Sequence, residues 1–285
     1  NGFPCQSNTP LSDSDPNFLG PHNRPDNAPI CPVMSSRNLS YVTLRGGGLF
    51  VVDVTATPMQ IVAEYGNQLV GRDGCGGVQK GSNIFLNGGT GSLATNPTEF
   101  SLYHFKDMYP KAPNYLPPNY TEFCARPNGQ GFPRVFFRDP APERDAHAMI
   151  LSPNGQYLWQ FDRLGNRAEI FRVSNLNRTC APFGLNDAPR HVGTVNLVTP
   201  GVSFDPTPDL GAVSPLGNRI YIALRGPKPQ TGAHASEGGT PGLGIIDLWQ
   251  GGRTGELSEV LRTTFRNPVD SSEESDPHAA FIRLK

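Results

Sequence analysis

Seven ionisable side chains of this 285-residue chain stand where a recurring strand pattern would gather them. Asp73, His147, Asp209 and His278 each open a strand, and Arg45, Arg163 and Arg225 each follow an aromatic-led strand (Tyr41, Trp159 and Tyr221) at the same spacing. Two imidazoles, two carboxylates and three guanidiniums around one funnel could bind an anion or a divalent cation. The same groups suit mutual pairing, in which each Asp or His answers an Arg of its own or a neighbouring repeat and ties the repeats together. Catalysis would need a general base within reach of a substrate. His147 and His278 are the candidates, for hydrolysis of a lactone or ester.

The elements that must position these groups are short strands. Residues 145–173 read as a strand, a Ser152-Pro153-Asn154-Gly155 turn, an alternating strand, a Gly165-Asn166 turn and a third strand. The same grammar recurs where residues 41–46 lead into 49–54, 84–89 into 100–105, and 221–226 into 242–247. Placing Tyr41, Phe85, Trp159 and Tyr221 in register gives four divergent copies, the signal of an all-β radial repeat: a β-propeller with four recognisable blades. Residues 276–284 repeat the opening of residues 145–151 and predict the inner strand of a fifth. Residues 1–27, polar and rich in Pro, Asn and Asp, read as an extended N-terminal arm, and residues 28–285 as the propeller domain. A lone inner strand at the end of the sequence asks to be completed, by blades N-terminal to residue 28 or by another chain that closes the ring.

Strand order sorts the sequence onto two faces. The seven ionisable residues fall on the funnel face, where a protein or glycan partner is expected. The sequons at Asn38, Asn119 and Asn177 all fall on the other, which predicts a glycosylated face. Five cysteines without a Cys-x-x-Cys pair point to a secreted, extracellular or periplasmic protein rather than to zinc or redox chemistry. Cys124 and Cys180 lie in equivalent loops of adjacent blades and are the expected disulfide. Cys5 can reach Cys31, and otherwise Cys31 and Cys75 sit mid-strand, where a small buried thiol packs well.

A net charge of −1 without a basic stripe argues against nucleic acid, and no apolar run is long enough to span a membrane. Nucleophile-elbow, phosphate-loop, zinc-protease and dinucleotide signatures are absent from the sequence, so no cofactor is expected beyond a divalent cation in the funnel. The acidic run Asp270, Glu273, Glu274 and Asp276 fits a solvated loop better than a calcium site.

The signatures Ser152-Pro153-Asn154-Gly155-Gln156-Tyr157-Leu158, Tyr41-Val42-Thr43-Leu44-Arg45-Gly46 and Asp276-Pro277-His278 resemble the YVTN-type β-propeller repeat superfamily, which includes the lactonase-like propellers. The resemblance covers residues 28–285 and implies a seven-bladed ring in a complete protein, with about three blades before residue 28. That superfamily holds surface proteins, binding modules and a few enzymes. No acid/base motif in this chain matches a lactonase set, so no catalytic residue carries over. The expectation is a secreted β-propeller glycoprotein acting as a binding or structural surface module. The alternatives are a lactone or ester hydrolase working in the funnel, or a subunit of a larger extracellular assembly.

Overall fold

The computed structural model describes residues 18–19, 29–66, 69–88, 100–107, 133–141, 144–174, 176, 189–229 and 237–283. The described residues are all-β, built from three antiparallel four-stranded sheets and a fourth that carries an added parallel edge strand, with the strand order of propeller blades. Among the described residues the only helical element is a 3-10 turn at Gln250–Gly252. Two compact units divide the chain. The first is built on two sheets: β1 (Phe18–Leu19), β2 (Pro29–Met34), β3 (Leu39–Leu44), β4 (Leu49–Asp53) and β5 (Gln60–Tyr65), then β6 (Gly77–Lys80), β7 (Asn83–Gly88), β8 (Phe100–Lys106) and β9 (Arg134–Asp139). The second contains β10 (Ala146–Leu151), β11 (Tyr157–Asp162), β12 (Arg167–Arg172) and β13 (Arg190–Asn196), then β14 (Pro208–Val213), β15 (Arg219–Leu224), β16 (Gly242–Trp249) and β17 (Thr254–Arg262).

The third blade shows how local chemistry makes these strands. Gly155 takes a positive φ of 63° and donates its N–H to Ser152 O at 2.7 Å, while Asn154 Oδ1 accepts from Gln156 N–H at 2.9 Å. This turn sends β10 back as β11, with Ile150 opposite Trp159. The equivalent pairs are Val33 with Tyr41, Val78 with Phe85 and Ala212 with Tyr221, so the aromatic register expected from the sequence holds in all four blades. A bulge interrupts the first strand pair between Ala146 and Met149, between Pro208 and Gly211, and between Pro29 and Pro32. A bulge re-aims the side chains around it. His147 and Asp209 lie inside two of them.

Each unit has its own apolar core between its two sheets. Tyr41, Val51, Tyr65, Leu86 and Phe105 anchor the first, and Trp159, Phe161, Ile170, Ile222 and Leu257 the second. Trp159 is wholly buried and its indole N–H donates to Gly252 O at 2.7 Å, so the largest core side chain also fixes the 3-10 turn.

Three local features add to or correct the sequence reading. Within the arm, Phe18–Leu19 pairs in parallel with the outer strand β5. In the second blade the paired inner strand begins at Gly77 rather than at Asp73, and ahead of it Gly74 is pressed so close to its neighbour that an added Cβ would sit 2.0 Å from Asn87 O. The expected Cys5–Cys31 pairing is corrected, since Cys31 is disulfide-bonded to Cys75 with a Cα separation of 5.0 Å. The physical reason is that the two cysteines open neighbouring inner segments, both tied to the Thr43 hydroxyl, which hydrogen-bonds to Cys31 O and Gly74 O. Neither is therefore a packed free thiol. Cys5, Cys124 and Cys180 lie outside the described residues.

The segment predicted as a fifth inner strand runs parallel beside β14. Leu210 bridges Ala279, Leu210 N–H donates to His278 O at 3.3 Å, and Ala280 N–H donates to Leu210 O at 3.1 Å.

Candidate functional site

In the second unit, the openings of three successive inner segments bring acidic residues and histidines against the ends of two second strands. Asp145 precedes β10, Asp209 opens β14, and Asp276 and His278 stand beside it on the C-terminal segment. Arg163 and Arg225 follow β11 and β15. Each is placed by a backbone bond to the start of its own blade: Arg163 N–H to Asp145 O at 3.0 Å and Arg225 N–H to Thr207 O at 3.2 Å.

The result is a belt of alternating charge. Asp145 pairs with Arg163 Nε, Arg163 Nη1 lies 3.5 Å from Asp209 Oδ2, and Arg225 Nη1 donates to that same oxygen. Arg225 then closes a bidentate pair with Asp276, Nε to Oδ1 at 2.6 Å and Nη2 to Oδ2 at 2.8 Å. Two imidazoles hang on the central carboxylate, with His147 Nε2 2.6 Å from Asp209 Oδ1 and His278 Nδ1 3.0 Å from Asp209 Oδ2.

Burial decides the protonation states. It lowers the pKa of His147, and the Arg163 guanidinium adds to the effect against the opposing pull of Asp209, so the ring is neutral near pH 7. For Asp209 burial works the other way and opposes ionisation. His147, His278 and Arg163 outweigh it and hold the carboxyl far below the usual range. Burial would also discharge Arg225, but its bonds to Asp276 and Asp209 keep the guanidinium pKa raised.

Of the seven funnel residues, His147, Asp209, His278, Arg163 and Arg225 meet in this one network. Arg45 and Asp73 belong to the first unit. Arg45 is exposed, and Asp73 takes a positive φ of 58°, donates its N–H to Leu44 O and lies 3.3 Å from Arg72 Nε. Asp73 thus stands at the end of the first blade's second strand, ahead of the inner strand it was expected to open.

Two members of the belt, Asp145 and Asp276, were not among the funnel candidates. A signal for them is present, because each begins an Asp-x-His triplet, Asp145-Ala146-His147 and Asp276-Pro277-His278. The fourth blade carries Thr207-Pro208-Asp209 instead. Lacking a carboxylate at the first position of its own blade, Arg225 turns to Asp276. The rest of the acidic run is held in its loop: Glu273 accepts from Phe265 N–H and Ser275 N–H, and Glu274 accepts from Asn267 Nδ2. Among the described residues no group of three or more His, Cys, Asp or Glu side chains is arranged to hold a metal ion.

A second buried cluster backs the third blade. Arg144 donates to Asp162 at 2.6 Å and to Glu169 at 2.7 Å, and Glu169 also accepts from Thr194 Oγ1 at 2.6 Å and meets His191 Nε2 at 2.9 Å. Of the sequons, Asn38 lies exposed in the β2–β3 turn with φ 59°. Asn119 and Asn177 fall outside the described residues. No described helix is long and apolar enough to cross a membrane.

No family model and no curated protein matches this chain. Solved structures similar to it include a protein from Lactobacillus plantarum, 11% identical over 86% of this chain and 57% of that one, with a TM-score of 0.48. A candidate 6-phosphogluconolactonase from Bacteroides uniformis is 12% identical over 82% of this chain and 59% of its own, TM-score 0.47. Another from Bacteroides fragilis is 12% identical over 84% and 74%, TM-score 0.40. The chain spans less than two thirds of the length of the first two. The blade assignment rests on the strand order and register of this chain itself.

Proposed function

We propose that this protein is a secreted β-propeller glycoprotein that acts as a binding or structural surface module, and that the belt locks blades together rather than turning over a substrate. One observation carries the reading: Arg225, with no exposed side-chain surface, is committed at once to Asp209 and Asp276. A catalytic centre keeps a reactive group turned toward its substrate. Here each guanidinium and each carboxylate of the belt answers a neighbour of opposite charge. A divalent cation is no part of the proposal, because the carboxylates that would ligate it face Arg163 and Arg225 instead. The Cys31–Cys75 bond supports an oxidising compartment, and the exposed turn at Asn38 supports a glycan there. The partner of the funnel face is a protein or glycan.

A hydrolase remains the second reading because of His278. Its side chain is 48% exposed whereas that of His147 is 5% exposed, so His278 alone of the pair can meet a substrate. Its Nδ1 faces a buried carboxylate, the arrangement that orients a general base. Purified protein assayed against a panel of lactones and aryl esters is expected to show no turnover above buffer. Saturable hydrolysis that disappears in His278→Gln, with the circular dichroism spectrum unchanged, would overturn the binding-module reading and establish the enzyme.

A further inference from the structure

We propose that the opposite end of the third blade carries a binding site for the sulfate or phosphate monoester of a sugar. A cavity of about 550 Å³ opens there, lined by Tyr157, Arg172, Arg190, His191 and Arg253 among others and by no carboxylate. Its size falls within the range of small-molecule sites, roughly 300–1,000 Å³. In a chain whose net charge is −1, three guanidiniums on one groove are a local excess of positive charge.

The strand register sets them side by side. Tyr157 pairs with Arg172 and Arg172 with Arg190, so two arginines stand directly opposite each other on β12 and β13. Like charges in that position repel and weaken the sheet. An oxyanion lying between them turns the repulsion into two charge-assisted bonds.

The third guanidinium comes from the neighbouring blade, on a turn whose backbone is held in place. Gln250, Gly251 and Gly252 all take positive φ, and a Cβ on Gly252 would stand 2.5 Å from Ser152 Cβ, so the turn before Arg253 presses directly on the β10–β11 turn. The bond from Trp159 Nε1 to Gly252 O locks that contact. Arg172 is steadied by Ser174, and His191 by Glu169 and by packing on Phe171 at 5.2 Å between ring centroids. Glu169 is itself answered by Arg144 and Arg167, so it does not draw the groove arginines away. Among the described residues neither Arg190 nor Arg253 has an ion-pair partner. The half-buried Tyr157 gives the sugar ring an aromatic surface to lie against.

No residue of this site belongs to the belt, so the inference stands whichever way the hydrolase question falls. The test is calorimetric titration with N-acetylglucosamine 6-sulfate, its 6-phosphate, the unesterified sugar, and inorganic sulfate and phosphate, all at matched ionic strength. One or both esters are expected to bind saturably and the unesterified sugar not at all; the two ester arms show which oxyanion is preferred. Arg190→Glu and Arg253→Glu should each weaken ester binding ~10-fold or more, while Arg262→Glu, an exposed arginine outside the groove, leaves it unchanged. Urea midpoints check the fold, and Arg190→Gln and Arg253→Gln carry the test if a reversal lowers them. Absence of ester binding, binding indifferent to Arg190 and Arg253, or inorganic anions binding as tightly as the esters would each overturn the proposal.

Discussion

Replacing Arg225 by Met keeps much of the side-chain volume and removes the charge on which the belt turns. Asp276 would lose both bonds of its bidentate pair, and Asp209, with no exposed side-chain surface, would keep only Arg163 at 3.5 Å and the neighbouring histidines. Removing one partner of a buried pair costs about 3–5 kcal/mol, because the charge left behind stays desolvated. For a protein of this size that corresponds to a fall in Tm on the order of 10 °C. Urea unfolding followed by the fluorescence of Trp159, buried in the same unit, measures it directly. Pairing the change with Asp276→Asn in a double-mutant cycle isolates the coupling, and the two losses should add to more than the double mutant shows. The acid limb checks the sign. Asp209 has a folded pKa below its unfolded value of about 3.9, so its contribution is complete above that pH and drains as pH falls through the folded value. The gap between wild type and Arg225→Met should therefore narrow in strong acid. A loss under about 1 kcal/mol near neutral pH, the scale of an exposed pair, would refute the reasoning.

Burial holds the pKa of His104 down to about 3 and lowers that of His147, so the unfolded chain takes up protons first. Their contribution is whole above the unfolded value of about 6.5 and is lost as pH falls toward the folded ones, with a slope on the order of 1.4 kcal/mol per pH unit for each ring. Urea midpoints between neutral pH and about pH 5 should fall in the wild type and fall less in His104→Gln; parallel lines would count against it. The Cys31–Cys75 bond closes a loop with a sequence separation of 44. Chain entropy for such a loop gives about 4 kcal/mol. Non-reducing peptide mapping should recover the Cys31–Cys75 link, and Cys31→Ser/Cys75→Ser should lower the urea midpoint accordingly; a Cys31 linked elsewhere would contradict the structure.

Much of the fold was legible because its signals are local. Turn residues such as Asn154 and Gly155 act through their own backbone, and strand alternation shows in a handful of neighbours, so Tyr41, Phe85, Trp159 and Tyr221 could be set in register without coordinates. The Asp-x-His triplets were equally present. What they do was not visible, because a charge declares its type in the sequence but not its partner.

The sequence by itself determined the strands, their order, and the gathering of acidic residues, histidines and arginines at strand ends. Only the tertiary structure decided that Arg163 serves Asp145 within its own blade while Arg225 reaches Asp276 on the next inner segment, that Cys31 meets Cys75, and that Arg253 arrives beside Arg172 and Arg190. The physical reason is that these contacts depend on how bulges re-aim side chains and how one sheet packs against the next, and both are set by long-range packing rather than by neighbours along the chain.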